Sequence, residues 1–280
     1  MKKVIVIGCK GMAGHIAKDY LKSLGIYDVW GMGRNIKSEK KLINLDVSNT
    51  EKLEFVFRNG KFDIVINCIG LLNKFAEDNP KLAIWHNAYF PHLLASFGVK
   101  YNFKLIHIST DCVFSGKKGG YKENSLKDGV GFYAQSKALG ELINNKDLTI
   151  RTSIIGPEIK KNGIGLFHWF MSESEEIYGY TNAIWSGVTT LVLSKAINWA
   201  IKNDVTGLYH LTNNKRINKC DLLILMKKYT KKNISIIPID GKRSNKSFLD
   251  TRNELNYILP SYDEMVKDMI LYTKKNKIIY

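Results

Sequence analysis

The first half of the chain alternates short apolar runs with segments of helical periodicity. The apolar runs lack strict alternation, which is typical of strands buried on both faces of a parallel sheet. The segments between them place apolar residues three and four apart, as amphipathic helices do. The predicted strands are KKVIVIG, YDVWGMG, FDIVINCIG, FKLIHIS and LTIRTS, and the predicted helices are GMAGHIAKDYLKSLG, NTEKLEFVFRNG, NPKLAIWHNAYFPHLLASFG and FYAQSKALGELINN.

The pattern loosens after about residue 155. Helices are predicted in GIGLFHWFMSESEE, GVTTLVLSKAINWAIKN, NKCDLLILMKKYTKK and SYDEMVKDMILYTKKN, and strands in GLYHLTN and ISIIPID. No low-complexity linker separates the two halves. We therefore predict an α/β fold: a Rossmann-type, doubly wound parallel sheet over residues 1–155, with helices on both faces, and a smaller interwoven C-terminal lobe over residues 156–280. Within that lobe, residues 188–212 are expected to return to the first domain.

Composition narrows the function classes. The 280 residues include 42 Lys and Arg against 26 Asp and Glu, a formal net charge of +16. These cations are spread along the whole chain without a nucleic-acid motif, so a solvated lysine-rich surface is favoured over nucleic-acid binding. No run of 18 apolar residues predicts a membrane helix. Cys9, Cys68, Cys112 and Cys220 are far apart, which favours reduced thiols in a cytoplasmic protein and no metal site.

A glycine pattern follows the first predicted strand. Gly8, Gly11 and Gly14 stand between that strand and the first helix. Glycine allows a tight turn, close approach of the backbone to a pyrophosphate and close packing of helix on strand. The helix N-terminus adds amide donors for phosphate. The turn, with Lys10 and Met12 inside it, is predicted to bind a dinucleotide.

The end of the second strand indicates which dinucleotide is bound. An NAD site usually carries an acidic residue there, to hold the ribose 2′-hydroxyl. This chain has Arg34 at that point and no acidic residue before Glu39. Because arginine pairs with a 2′-phosphate, NADPH is predicted, and NADH stays an alternative. A solvated loop arginine is the plainer interpretation of Arg34.

Two further segments are candidates for cofactor contacts. Asp46 and Val47 follow LIN, where an acidic residue and an apolar residue often contact adenine in such folds. The third predicted strand ends in Cys68, Ile69 and Gly70, at the sheet edge where ligands bind in open α/β sheets.

Candidate catalytic groups follow FKLIHIS. Tyr133 and Lys137 are four apart on a predicted helix, so they share a face. A phenol with a pKa of about 10 needs a nearby ammonium before it exchanges protons easily near neutral pH. Thr110, at the end of the preceding strand, can donate a hydrogen bond to the same substrate oxygen. The helix alone is also compatible with an ordinary amphipathic segment.

In that order, the glycine turn, the strand-end Thr110, Tyr133 and Lys137 resemble the extended short-chain dehydrogenase/reductase family. STDCVFSG, YKEN, YAQSK and LTIRTSIIGPE most resemble the subfamily that reduces 4-keto-6-deoxy nucleotide sugars, the dTDP-4-dehydrorhamnose reductases. The resemblance implies that NADPH delivers hydride to C4 while Tyr133 protonates the oxygen, in deoxysugar synthesis for a surface polysaccharide. It also implies that Lys137 contacts the nicotinamide ribose, and it leaves a homodimer open. The chain departs from the family in having no proline before Tyr133 and alanine after it.

Alternatives to this reading concern Cys112. Related 4,6-dehydratases carry glutamate at that position, so dehydration is disfavoured. GDP-fucose synthase, which resembles this chain, has a matching cysteine that acts as an epimerisation base, and His168 is the nearby candidate for its histidine partner. An epimerase or epimerase–reductase therefore stays open. A non-catalytic NADP-binding subunit, like the regulatory subunit of methionine adenosyltransferase, is a third hypothesis.

Substrate contacts are expected near the catalytic groups and from the C-terminal lobe. Thr110, Asp111 and Cys112 are the candidates at the end of the catalytic strand, although Asp111 could simply anchor the turn. For Asn87, the sequence is equally compatible with a structural role and with a role in the active site. The lobe supplies aromatic, hydroxyl and basic candidates for the base, sugar or diphosphate: Trp169, Trp185, Ser186, Thr189, Arg216 and Arg243.

Overall fold

The computed structural model describes residues 1–160, 162–241 and 243–278. In chain order the strands are β1 (Lys2–Ile7), β2 (Tyr27–Gly33), β3 (Leu42–Asn44), β4 (Ile64–Asn67), β5 (Lys104–Thr110), β6 (Leu148–Thr152), β7 (Ile154–Ile155), β8 (Glu176–Tyr180), β9 (Ala183–Trp185), β10 (Val188–Thr189), β11 (Gly207–His210), β12 (Ile217–Asn218), β13 (Ser235–Ile239) and β14 (Ser244–Asn245). The helices are α1 (Met12–Ser23), α2 (Thr50–Gly60), α3 (Asn73–Asp78), α4 (Pro80–Ala83), α5 (Phe90–Tyr101), α6 (Phe132–Leu139), α7 (Leu166–Ser172), α8 (Thr190–Lys202), α9 (Lys219–Thr230) and α10 (Tyr262–Lys275). A π-helical turn, Ile84–Tyr89, joins α4 to α5, and a 3₁₀ turn, Asp111–Val113, follows β5.

The central sheet has seven parallel strands in the order β11-β6-β5-β4-β1-β2-β3. Successive residues of β1 are buried on opposite faces. Val4 and Val6 join the apolar core beneath α1, α8 and α10, and Ile5 and Ile7 join the core beneath α2 and α5. Burial on both faces explains why the strand sequences are continuously apolar. The predicted α/β doubly wound fold is confirmed.

The direction of winding reverses between β1 and β4, which are hydrogen-bonded neighbours. Open sheets of this kind bind ligands in the crevice at the reversal, beyond the carboxyl ends of the strands. The glycine turn follows β1 at this point, and the Cys68–Gly70 segment follows β4. The predicted cofactor segments therefore meet at the crevice that the topology creates.

The second half of the chain contributes to both parts of the molecule. α8 packs against α1, and β11 adds a strand to the sheet beside β6. The remaining strands form small sheets, β10-β7, β12-β9-β14 and β13-β8, above the carboxyl edge. None of the helices within the described ranges is long and apolar enough to span a bilayer.

Two helices differ from the sequence prediction. The helix predicted through Asn145 ends at Leu139. The next residue, Gly140, packs tightly against the π turn, since a Cβ at this position would be 1.9 Å from the Asn87 carbonyl oxygen. The long helix predicted before β5 contains the π turn, in which the Asn87 amide bonds both backbone groups of Leu71. A π turn of this kind often marks a functional site.

Candidate active site

The turn that contains Gly8, Gly11 and Gly14 is so tightly packed that side chains at Gly8 or Gly14 would crowd neighbouring atoms. Gly8 has a φ of +81°, and a Cβ there would lie 3.1 Å from Ile69 Cγ1. A Cβ at Gly14 would lie 2.2 Å from the Gly8 carbonyl oxygen. Gly11 is the N-cap residue of α1, and its amide donates to the Gly8 carbonyl oxygen at 2.9 Å. Because glycine has no side chain to cap the helix, the first amides of α1 face the turn uncapped. The arrangement fits a pyrophosphate.

The loop after β2 carries the predicted 2′-phosphate ligand. Arg34 Nη1 lies 3.3 Å from Asp46 Oδ2, and both side chains are largely exposed. Lys10 Nζ donates to the Asn35 carbonyl oxygen at 2.7 Å, so a second cation reaches the same loop. Burial opposes ionisation of the Asp46 carboxyl, but hydrogen bonds from Ser48 and Arg34 together outweigh it and hold the pKa of this carboxyl below its ordinary value. Two cations beside the end of β2 fit a phosphate better than they fit a bare ribose.

The remaining cofactor candidates lie nearby. Val47 is 3% exposed and packs in the apolar core beneath α2 and α5, so little of its side chain is open to a ligand. The Cys68 amide donates to Ile7 O at 3.0 Å, and burial raises the pKa of its thiol to about 12, which makes it an inert lining group. A Cβ at Gly70 would stand 3.7 Å from Asn87 Oδ1 and 4.0 Å from Lys137 Nζ. The segment after β4 therefore lies next to Lys137.

Thr110 and Tyr133 are neighbours, and the Thr110 hydroxyl favours the ionised form of the phenol, which lowers its pKa against the effect of burial. Thr110 ends β5, and Tyr133 is the second residue of α6. Glu77 fixes the start of α6, because its carboxylate accepts the amides of Phe132 and Tyr133 at 3.1 Å each. A carboxylate at a helix N-terminus also interacts favourably with the helix dipole. The two hydroxyls are thereby held together at the carboxyl edge of the sheet.

The ionisation of this site differs from the sequence prediction. Burial raises the pKa of the Tyr133 phenol above its ordinary value, with Cys112 adding to the rise and the Thr110 hydroxyl opposing it. Lys137 Nζ donates to the Ile108 carbonyl oxygen at 2.7 Å and lies 3.5 Å from His107 Nε2. Burial lowers the pKa of Lys137 to about 8. The pKa of the phenol is thus raised where the sequence predicts a lowered one, and burial is the largest cause.

The sequence analysis missed two lysines that converge on the turn after Thr110. Lys246 Nζ donates to Cys112 Sγ at 3.2 Å. Lys219, the first residue of α9, lies with its ammonium 5.1 Å from the centre of the Trp185 ring. Both ammonium groups stabilise the charged form of Asp111. Nothing local distinguishes these two among the 42 basic residues of the chain, so only the fold could identify them.

The other lobe candidates are dispersed. Trp185 is 3% exposed and packs against Tyr262, with ring centres 5.7 Å apart, so it lies beneath Lys219 rather than open to a ligand. Trp169 is on α7, whose N-terminal Gly165 contacts Met12 of the glycine turn. Arg216 is exposed and lines a cavity of about 450 Å³ with residues of β12 and α9. Of these, Trp185 alone belongs to the cluster around Asp111.

Several polar candidates have structural partners. Ser186 Oγ accepts the Phe248 amide at 2.9 Å, and Thr189 caps α8 by accepting the Val192 amide at 3.3 Å. Arg243 is exposed before β14. The side chain of Asn87 joins the loop after β4 to α6, since it bonds Leu71 and also donates to Ser136 Oγ at 3.1 Å. Asn87 thus supports the site that Tyr133 and Lys137 occupy.

Comparison with known proteins gives consistent matches. The family model described as RmlD substrate binding domain matches residues 1–273. The dTDP-4-dehydrorhamnose reductase of Aggregatibacter actinomycetemcomitans is 24% identical over 237 residues, which cover 80% of this chain and 78% of that protein. The spore coat polysaccharide biosynthesis protein SpsK of Bacillus subtilis is 28% identical over 219 residues, covering 76% and 74%. The crystal structure of dTDP-4-dehydrorhamnose reductase from Bacillus anthracis in complex with NADP superposes with a TM-score of 0.81 at 26% identity, covering 98% of this chain and 100% of the other.

Proposed function

The chain belongs to the RmlD substrate binding domain family, and from this premise we propose that it is an NADPH-dependent reductase. The proposed reaction is reduction of the C4 keto group of a nucleotide-linked 4-dehydro-6-deoxy sugar. The observation that carries the proposal is the placement of Thr110 beside Tyr133 at the carboxyl edge of the sheet, with Lys137 one helical turn further on and next to Gly70. The names of the relatives, a 4-dehydrorhamnose reductase and a polysaccharide biosynthesis protein, support the substrate class and a role in deoxysugar supply.

The cofactor would be held from the glycine turn to the catalytic helix. The amides of the first turn of α1, with Gly8, Gly11 and Gly14, would bind the pyrophosphate, and Lys10 and Arg34 the 2′-phosphate. Lys137 lies where the crevice ends and would bond the nicotinamide ribose. When bound, NADPH supplies the hydride. The Bacillus anthracis relative, which was solved with NADP, supports this choice over NADH.

The two hydroxyls would perform the proton chemistry. A ketone that accepts hydride becomes an alkoxide, which needs a proton and needs its charge stabilised during transfer. Tyr133 donates the proton, and Thr110 donates a hydrogen bond to the same oxygen. Because the pKa of the phenol is raised, Tyr133 is fully protonated at neutral pH, which is the state an acid catalyst must start from.

The substrate carries a diphosphate, and the two missed lysines offer the charge to receive it. Among the residues that the structure describes, Asp111 is the one carboxyl group that acts on the ammonium groups of Lys219 and Lys246, so with Asp111 ionised and the Cys112 thiol neutral the cluster has one positive charge in excess. A lysine at the N-terminus of a helix, as Lys219 is, adds to the positive end of the helix dipole and costs stability. An anionic ligand would relieve that cost.

The decisive experiment compares Tyr133→Phe with the wild type and with Tyr178→Phe, a tyrosine that is 56% exposed on β8. NADPH oxidation is measured on a panel of 4-keto nucleotide sugars with dTDP, UDP and GDP, and NADPH binding by calorimetry. We expect Tyr133→Phe to lose on the order of 10²-fold or more in kcat while still binding NADPH. Unchanged turnover in Tyr133→Phe would refute the mechanism. NADPH binding with no turnover of any sugar by the wild type would favour the non-catalytic role.

A second candidate is an epimerase or epimerase–reductase, and the Lys246 contact with the Cys112 sulfur favours it. An ammonium at 3.2 Å stabilises a thiolate, the form that could remove a carbon-bound proton. Against this, burial raises the pKa of the Cys112 thiol. His168, the expected partner, packs instead against Gly163. Deuterium uptake from D₂O at C3 or C5 of the product, lost in Cys112→Ser, would identify this activity.

We also propose a cytoplasmic location and leave homodimerisation to measurement. All four cysteines are free thiols, which is typical of proteins from a reducing compartment. Light scattering on the purified protein would show whether it is a dimer.

A further inference from the structure

The YKEN motif, residues 121–124, lies in the loop between β5 and α6 and is fastened to a distant part of the chain. The Tyr121 amide donates to the Ser247 carbonyl oxygen at 3.0 Å, and the Leu249 amide donates to the Tyr121 carbonyl oxygen at 2.8 Å. These two bonds form an isolated bridge outside the named strands. Because a pairing this short is marginal by itself, other groups must hold the two segments together.

The Glu123 carboxylate supplies those contacts. It accepts the Thr251 hydroxyl at 2.5 Å and the Thr251 amide at 3.2 Å, and it also accepts the His210 amide of β11 at 3.3 Å. The Glu123 side chain is 13% exposed, so water and salt screen these bonds little. Hydrogen bonds to an ionised carboxylate are among the strong ones in proteins. One carboxylate therefore joins the YKEN motif to the edge of the central sheet and to residues 247–251.

Buried side chains behind Glu123 fix its backbone. The Glu123 carbonyl oxygen accepts Arg151 Nη1 at 3.3 Å, and the same nitrogen lies 2.7 Å from His210 Nε2. His210 Nδ1 lies 2.8 Å from the Leu249 carbonyl oxygen. Because a carbonyl oxygen can accept but not donate, Nδ1 carries the proton and Nε2 accepts from Arg151. The neutral imidazole of His210 therefore links Arg151 to residues 247–251.

The residues held in this way are continuous with Lys246. Lys246 immediately precedes residues 247–251, and its ammonium donates to Cys112 Sγ at 3.2 Å. The Cys112 amide in turn donates to Thr110 Oγ1 at 3.1 Å, so the ammonium stands beside the turn that follows the proposed catalytic hydroxyl. A lysine side chain is a flexible stem with a point charge at its end. The place of this charge therefore depends on a backbone that is itself held in position.

We propose that Glu123 is a positioning residue for the nucleotide-sugar substrate: it holds residues 247–251 to the sheet and thereby keeps the Lys246 ammonium at the diphosphate. This inference rests on the proposed function, in which Lys246 helps to receive that diphosphate. Glu123 acts through Lys246 rather than by contact with the substrate. The diphosphate is unchanged between the bound substrate and the transition state, so Lys246 contributes to binding and not to the chemical step.

Steady-state kinetics of Glu123→Gln test this role. Glutamine keeps the size of the side chain, but it loses the charge and turns an NH₂ group toward partners that are themselves donors. We expect KM for the sugar nucleotide to rise about tenfold, while kcat stays within about twofold and NADPH binding in calorimetry is unchanged. The matched control is Glu254→Gln, whose native side chain is 62% exposed and pairs with Arg252, and this variant should behave as the wild type.

A double-mutant cycle shows whether Glu123 acts through Lys246. Lys246→Met should raise KM by itself, and adding Glu123→Gln should raise KM no further, because the ammonium to be positioned is already gone. Additive effects would overturn the proposal, and so would an unchanged KM in Glu123→Gln or a loss confined to kcat. Thermal unfolding establishes that the variants are folded, and Thr251→Val, which removes the shortest of the Glu123 bonds, gives the same readout if glutamine is not tolerated. Failure of the proposed function is distinct, because the wild type itself would then oxidise no NADPH with any 4-keto sugar nucleotide, and this inference would lose its basis with it.

Discussion

Removal of the charge on Glu141 is expected to destabilise the protein strongly. The Glu141 carboxylate accepts Arg151 Nε at 2.7 Å and Ser109 Oγ at 2.7 Å. The Arg151 side chain is 1% exposed and that of Glu141 is 0% exposed. Ser109 immediately precedes Thr110, so this ion pair also anchors the end of the catalytic strand.

The magnitude of the Glu141→Gln effect follows from this burial. Removing one partner of a buried ion pair costs about 3–5 kcal/mol, because the other charge stays buried without compensation. Glutamine keeps the shape and one acceptor oxygen, which puts the expected cost at the lower end, about 3 kcal/mol. For a chain of this size that corresponds to a fall in Tm of roughly 6–12 °C.

Differential scanning calorimetry at pH 7 and at lower pH would measure the loss. Burial opposes ionisation of Glu141, but the hydrogen bonds and charge of Arg151 and the hydrogen bond from Ser109 have the larger combined effect, so the pKa of the Glu141 carboxyl lies below its ordinary value. A depressed folded-state pKa gives stability that is complete above the unfolded-state pKa, about 4.3, and that is lost as the pH falls through the folded-state pKa. The difference in Tm between wild type and variant should therefore be largest near pH 7 and shrink below about pH 4.

The control is Glu54→Gln, which breaks the exposed pair with Lys100, whose side chain is 61% exposed. Exposed pairs contribute little, so we expect no measurable change in Tm for the control. A Tm for Glu141→Gln equal to that of the wild type at pH 7, or a difference that grows as the pH falls, would refute the reasoning.

Two further outcomes concern the cofactor. Gly14→Ala should abolish NADPH binding in calorimetry and lower Tm, because its Cβ would lie 2.2 Å from the Gly8 carbonyl oxygen. Gly33→Ala is the control and should be tolerated, because the nearest neighbour of its Cβ would be Cys9 Sγ at 3.7 Å. Equal NADPH binding by the two variants would contradict the proposed pyrophosphate site. Burial lowers the pKa of Lys137 to about 8, so its ammonium is lost as the pH rises through that value, and NADPH affinity should fall above about pH 8. Lys137→Met should bind more weakly and without this pH dependence, and a wild-type affinity constant from pH 7 to 9.5 would speak against a cofactor contact.

The strands of the central sheet were predictable because their burial on both faces leaves a continuous apolar signal. The glycine turn was predictable for a similar reason, since only glycine satisfies the close approach of Gly14 to Gly8. The end of α6 was not predictable from periodicity. The sequence after Leu139 keeps a helical pattern, but Gly140 meets the π turn and Glu141 turns inward to Arg151. Contacts between elements decided that boundary, and no local window contains them.

The candidate site divides in the same way. Thr110, Tyr133 and Lys137 were identifiable because their order and spacing along the chain carry the information. Lys219 and Lys246 come from separate elements of the C-terminal lobe and meet at Asp111 only after folding. The direction of the Tyr133 pKa shift was likewise beyond the sequence, because it depends mainly on how deeply folding buries the phenol.

The strand β11 makes the two halves of this chain inseparable. It lies at the outer edge of the sheet, hydrogen-bonded to β6, although residues 153–206 lie between the two strands along the chain. A chain truncated after residue 155 would leave β6 as an unpaired edge strand that could pair with other chains, and it would leave α1 without the helix that packs against it, α8. A protein engineer who replaces the substrate half of this chain must therefore keep α8 and β11 with the host sheet.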